Sequence, residues 1–229
     1  RDRYRDIQAE EVNIRMADFF CFIHGNKKKG YRYIWFIDSD DFMPDDAVEK
    51  ILNHWEKSGS DKVAGIVGLD YYLNDQVIGD KLPEQKTVNL IDLLIGKYNI
   101  VNGDRTNVIR TEVYKKYTPL IGFEGEKNFN PHYIHLNISK EYDFLVLNEN
   151  LRYVEYQEGG MTANIYKQYY NSPKSFKKTR ELYLSLKNTP VKFKLKNSIH
   201  YVSSCVLSKN YKDIFKNQMT PPLFLISMF

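Results

Sequence analysis

Two stretches break the alternation of apolar and polar positions along the chain: Tyr33-Ile34-Trp35-Phe36-Ile37 and Val63-Ala64-Gly65-Ile66-Val67-Gly68-Leu69. Both are continuous apolar runs of strand length, so each predicts a strand covered on both faces. Around them the apolar residues fall at helical spacing. Val48, Ile51, Leu52 and Trp55 share one face of a helix from Asp45 to about Lys57, stopped by Ser58-Gly59-Ser60. Val12, Met16, Phe19, Phe20 and Ile23 predict an amphipathic helix over 9–23, followed by a solvated loop at Asn26-Lys27-Lys28-Lys29-Gly30. Val88, Ile91, Leu94 and Ile95 predict a capped helix over 87–95.

Further on, Asn107 to Arg110 reads as a short strand, with Thr111-Glu112 starting a helix, and Pro131 opens another helix through about Ser139. Asp143 to Leu147 and Leu151 to Tyr156 are strands parted by the turn composition Asn148-Glu149-Asn150. From Met161 the pattern changes to short helices broken at Ser172-Pro173 and Thr189-Pro190. Their stripes are Leu182, Tyr183 and Leu186, then Ile199, Val202 and Val206. Strands alternating with helices predict an α/β fold over residues 1–160, with a helical appendage over 161–229.

The first apolar run ends in Asp38-Ser39-Asp40-Asp41. Open α/β sheets bind ligands at the carboxyl ends of their strands, which is where these acids stand. Three ionised carboxylates held together need a counter-charge, and hard oxygen donors suit magnesium or manganese. Helix capping explains Asp45 and Asp46, which follow Pro44, but not Asp38 and Asp40, which precede the turn. An EF-hand loop would need a ligand where Phe42 stands. Asp70, at the end of the second run, is placed to line the same cleft. His132 and His135 lack the spacing of a zinc helix.

Tyr33 to Met43 followed by Pro44-Asp45 resembles the DXD segment of family 2 glycosyltransferases of the GT-A fold. A second block, Gly103-Asp104-Arg105-Thr106-Asn107-Val108-Ile109-Arg110 and then Phe123-Glu124-Gly125-Glu126-Lys127-Asn128-Phe129, resembles the acceptor-side half of bacterial, inverting members. The resemblance covers about residues 10 to 170. It implies a Rossmann-like mixed, mostly parallel sheet flanked by helices. It also implies a nucleotide diphosphate-sugar donor, a glycan or lipid-linked acceptor, and Mg2+ or Mn2+ held by Asp38, Asp40 and Asp41. Glu126 becomes the favoured catalytic base with Glu124 second, since Lys127 stands where many members have an aspartate. Asp104, Arg105, Lys127 and Asp70 are candidate substrate contacts. The family's first strand and its Asp-Asp-Gly-Ser stretch should precede residue 9, and they are absent from this sequence. The expectation is therefore an N-terminally truncated catalytic domain, without the first nucleotide-binding βα units and with little donor affinity alone.

Composition adds a charge asymmetry. The net charge of +4 divides into −5 over residues 1–150 and +9 over 151–229. The basic end carries no nucleic-acid-binding pattern, and it suits peripheral contact with an anionic membrane. Cys21 and Cys205 form no disulfide framework, which fits the cytoplasm or the inner face of a cell membrane. No apolar run approaches the ~20 residues that span a bilayer, and the closing Pro221 to Phe229 is too short. A metal-dependent phosphotransferase or nucleotidyltransferase could use the same acids, and a non-catalytic membrane- or partner-binding module could use the basic end.

Overall fold

A computed structural model of the protein describes residues 19–26, 30–38, 40–101, 103–120, 122–156, 160 and 164–215. Contacts divide the chain into two compact units, Arg1–Leu120 with Ile134–Glu155, and Ile121–Tyr133 with Tyr156–Phe229.

Among the described residues the first unit holds a six-stranded mixed sheet in the order β1-β2-β5-β3-β6-β4. The strands are β1 (Phe19–Asn26), β2 (Gly30–Ile37), β3 (Val63–Tyr72), β4 (Thr87–Val88), β5 (Arg105–Arg110) and β6 (Asp143–Val154). Helices flank the sheet, as a GT-A type α/β fold requires. The pairing, however, is mostly antiparallel: only β3 and β6 pair in parallel, because β5 inserts as an antiparallel strand between β2 and β3. β2, β3 and β6 consequently share one direction. Their carboxyl ends, after Ile37, at Asp70 to Tyr72 and at Arg152 to Val154, emerge at the same edge of the sheet.

Both expected central strands form, and both are covered on both faces. Tyr33, Ile34, Trp35 and Ile37 are buried in β2, and every residue from Val63 to Asp70 is buried in β3. Gly65 allows β3 to approach β5, since a Cβ there would lie 2.0 Å from the Val108 carbonyl oxygen. On one face lies helix α1 (Ala47–Ser58), which packs Ala47, Ile51 and Trp55 against Tyr33, Trp35, Val108 and Leu145. Trp55 meets Tyr33 edge to face at 5.4 Å. The Gly59 N–H closes the helix on the Trp55 carbonyl at 2.7 Å. Phe36 instead meets Tyr114 and His135, at 5.4 and 5.7 Å. Those two residues belong to α3 (Thr111–Lys115) and α4 (His132–Ile138).

Three further expectations need correction. Phe19–Asn26 is a strand paired with β2 rather than the end of a helix, which suits its aromatic, β-prone run, and residues 9–18 lie outside the described residues. The expected helix over 87–95 is a short strand and a shorter helix, α2 (Leu90–Leu94). Its cap is Asn89, whose Oδ1 accepts from the Ile91 N–H at 3.0 Å, while Thr87 and Val88 join β6. Asn148-Glu149-Asn150 is no turn: β6 runs through it as one strand with an irregular register. Lys27 to Lys29 and the closing 221–229 segment also lie outside the described residues.

The second unit is helical, with α5 (Ile165–Asn171), α6 (Pro173–Ser185), α7 (Val191–Leu207) and a 3-10 turn at Tyr211–Phe215. The helices break at Ser172-Pro173 and Thr189-Pro190, where proline removes a donor and disfavours helix at the residue before it. Leu182 and Leu186 are buried as expected. The buried face of α7 is not Ile199 and Val206 but Asn197, Ser198, Tyr201, Val202, Ser204 and Cys205. Two polar pairs support that seam: Asn197 Oδ1 accepts from Arg180 at 3.0 Å, and Lys177 bonds Asp213 at 2.5 Å.

Candidate functional site

The acids that follow β2 form a turn, closed by the Asp41 N–H on the Asp38 carbonyl at 3.1 Å. Just beyond it Phe42 and Tyr153 exchange two backbone hydrogen bonds, at 3.1 and 2.8 Å, and their rings meet at 5.4 Å. The turn is thereby stitched to the carboxyl end of β6. Asp38 and Asp40 are exposed, whereas the Asp41 side chain is only 4% exposed and faces Arg152 at 3.2 Å. The three acids thus divide into an outward pair and one inward member.

Arg152 also donates to Asp70, at 2.5 Å, and Thr106 Oγ1 donates to the other Asp70 oxygen at 2.6 Å. Asp70 is 0% exposed and both of its oxygens are engaged, so its expected role as a substrate contact gives way to a structural one. Burial pushes the Asp41 carboxyl up to about 6; Arg152 opposes that rise, while Asp38, Asp40 and Asp70 add to it. Burial likewise raises Asp70 against the pull of Arg152 and Thr106. Arg152 loses some basicity to burial, but the carboxylates around it raise it overall. Two carboxylates, Asp41 and Asp70, therefore share one guanidinium at this edge.

Arg105 was expected to touch a ligand. Its guanidinium instead donates to the Ile78 carbonyl at 2.6 Å, the Asp104 carbonyl at 2.9 Å and the Asp80 carbonyl, knitting two loops together. Asp80 in turn accepts from the Val101 N–H at 2.7 Å. Asp104 itself is exposed.

Glu124, Glu126 and Lys127 belong to the second unit. Gly125 between the two glutamates takes a φ of +80°, a conformation that glycine adopts without strain. Glu126 has a structural occupation. Its Oε1 accepts from the Lys174 N–H at 2.8 Å, and its Oε2 accepts from the Ser175 N–H at 2.7 Å and Ser175 Oγ at 2.6 Å. These are the orphan donors of the first turn of α6, and a carboxylate there also meets the positive end of the helix dipole. Ser172, at the N-cap, makes no cap bond of its own; its hydroxyl accepts from the Asn128 N–H at 3.2 Å. Asn128 also donates to Gln168 on α5. Glu124 and Lys127 are exposed.

Sequence reasoning missed Arg152 and Thr106. Each lies in a strand whose partner is set by sheet order, and only an arginine among apolar β6 neighbours hinted at the first. Among the described residues, no group of three or more His, Cys, Asp or Glu could hold a metal ion by itself. A two-carboxylate site completed by substrate phosphate is a different arrangement, and Asp38 with Asp40 fits it: hard oxygen donors, exposed, and without the direct Arg152 contact that Asp41 and Asp70 make.

The acidic turn stands at the shared carboxyl edge of β2, β3 and β6, the edge at which open α/β sheets bind ligands. Residues 22–128, just under half of the chain, match the family described as Glycosyl transferase family 2. The match begins in β1 and covers the acidic turn, β3, β5 and the loop as far as Asn128, and it supports glycosyl transfer. No curated protein matches the chain. No helix among the described residues is long and apolar enough to cross a membrane.

Proposed function

We propose that the protein transfers a sugar from a nucleotide diphosphate-sugar to a glycan or lipid-linked acceptor, with inversion at the anomeric carbon. The observation that carries this reading is the pair of exposed acids, Asp38 and Asp40, at the end of a buried strand within the stretch that matches the glycosyltransferase family. Asp38 and Asp40 would hold Mg2+ or Mn2+. The ion, when bound, supplies positive charge to a departing diphosphate, so no acid need protonate the leaving group.

Proton removal from the acceptor hydroxyl falls to Glu124. It is an exposed glutamate on a glycine-containing loop, whereas Glu126 beside it is committed to α6. A carboxylate is a weak base but is ionised at neutral pH, and it gains from being positioned. Glu126 then serves to fix the loop that carries Glu124. Asp104 and Lys127, both exposed, are the remaining candidates for polar contacts to donor or acceptor. The basic residues of 151–229 would keep the protein at the inner face of a membrane where a lipid-linked acceptor is found.

Calorimetric titration with a nucleoside diphosphate in the presence and absence of Mn2+ tests the reading. Weak, Mn2+-dependent binding that disappears in Asp40→Asn is expected. Binding that ignores both the metal and Asp40 would overturn it. Product analysis separates the classes: sugar transfer releases a nucleoside diphosphate, whereas release of phosphate or pyrophosphate would point to phosphotransfer or nucleotidyl transfer.

A further inference from the structure

The register of β6 against β3 shifts near the start of the pair, between Val63 and Gly65, and again between Gly68 and Asp70. Gly68 stands opposite Leu147, but Leu69 stands opposite Asn150 and Asp70 opposite Arg152. Had the register of Gly68 and Leu147 simply continued, Asp70 would face Glu149, a buried carboxylate set against another acid. The slip carries Glu149 away, to within 3.8 Å of Lys50 on α1, and brings a guanidinium in its place. A bulge that re-aims one side chain at a sheet edge is a recurrent device beside functional sites. Here it costs ladder hydrogen bonds and gains an arginine between two carboxylates.

The consequence reaches the acidic turn. Arg152 bonds Asp70 through one terminal nitrogen and Asp41 through the other, at 2.5 and 3.2 Å. Asp70 is held also by Thr106 and by its own carbonyl, which accepts from the Ile78 N–H at 2.9 Å. The arginine therefore ties Asp41, on the turn, to Asp70, on the strand. The planar fork of arginine can make both contacts at once, which the point charge of lysine cannot reproduce.

We propose that Arg152 is a positioning residue for the acidic turn: by bridging Asp41 to Asp70 it withdraws Asp41 from the cation-binding set and fixes the turn so that Asp38 and Asp40 alone face the ligand. The clamp itself stands on the geometry of the edge, and only its effect on the cation rests on the reading of Asp38 and Asp40 as donors.

The test is a double-mutant cycle on Mn2+ affinity with Asp41→Asn and Arg152→Lys, alongside amide hydrogen exchange of Asp41 and Phe42 read by NMR. In the otherwise wild-type chain Asp41→Asn changes the Mn2+ dissociation constant by no more than about threefold, whereas in the Arg152→Lys chain, where Asp41 is released to the cation, it weakens binding about tenfold. Arg152→Lys also speeds exchange of those two amides about tenfold while leaving the β3 amides protected. A tenfold loss on Asp41→Asn alone, or an equal effect in both backgrounds, would overturn the proposal. If no chain binds Mn2+, the cation reading fails by itself; faster exchange at Asp41 and Phe42 then upholds the clamp, and unchanged exchange refutes it. Should Arg152→Lys unfold, Thr106→Val, which loosens Asp70 and leaves the arginine in place, is read in the same two ways with the same signs.

Discussion

Two groups of carboxylates in this protein have opposite surroundings. At the edge formed by β2, β3 and β6, Asp41 and Asp70 share one guanidinium, and Asp38 and Asp40 remain exposed. In the 122–130 loop the balance is reversed, because Glu126 receives three donors from the first turn of α6. A carboxylate short of donors seeks a cation. One supplied with donors holds the chain in place. The same side-chain chemistry thus yields a candidate ligand-binding pair in one region and a structural cap in the other, and the deciding quantity is the number of hydrogen-bond donors that face it.

The largest effect that could break this contrast concerns Glu124. Its replacement by Gln should lower sugar transfer by about 10²- to 10⁴-fold, the usual contribution of a general base, with little change in melting temperature. If Glu126→Gln gives the larger loss of turnover while the melting temperature stays fixed, the roles of the two glutamates are reversed. Next comes the acidic edge, where Asp38→Asn and Asp40→Asn should each weaken Mn2+ binding about 100-fold, as titration would show.

A smaller effect belongs to the cap. Glu126→Ala removes charge-assisted bonds to α6 and should destabilise the second unit by about 2 kcal/mol in denaturant unfolding, while Glu124→Ala should cost almost nothing. The smallest is a pH dependence. Asp41 binds its proton more tightly in the folded protein, at about 6, than its ordinary 3.8. Its contribution to stability is therefore fully present below pH 3.8 and is lost as pH rises through about 6. In metal-free protein, Asp41→Asn should flatten that part of the stability curve; a curve of unchanged slope would place the tight proton elsewhere.

Several of these features can be read from the sequence, and the reason differs between them. β2, β3 and α1 are legible because each is a long apolar pattern of one period, with its own terminators. Asp38 and Asp40 are legible because an acid directly after a buried run can only be at a strand end. The β5 insertion between β2 and β3 leaves no such trace, since a run as short as Arg105–Arg110 does not say which strands it joins, and it is what makes the sheet mostly antiparallel. Arg152 is hidden for a related reason: its partner depends on an irregular register between strands far apart in the chain. Glu126 is read as a base because its loop resembles the family's acceptor-side block, while its partners, Lys174 and Ser175, lie almost fifty residues further on. A capping box is visible when cap and helix adjoin; a cap supplied from a distant loop is not.

The central claim is that Asp38 and Asp40 hold a divalent cation at the tip of β2. Trace Mn2+ added to isotope-labelled protein should broaden the amide signals of residues 37–42 before any others, through its unpaired electrons, and the effect should vanish in the Asp38→Asn/Asp40→Asn double variant. Broadening that begins elsewhere, or that survives the double substitution, would contradict the account.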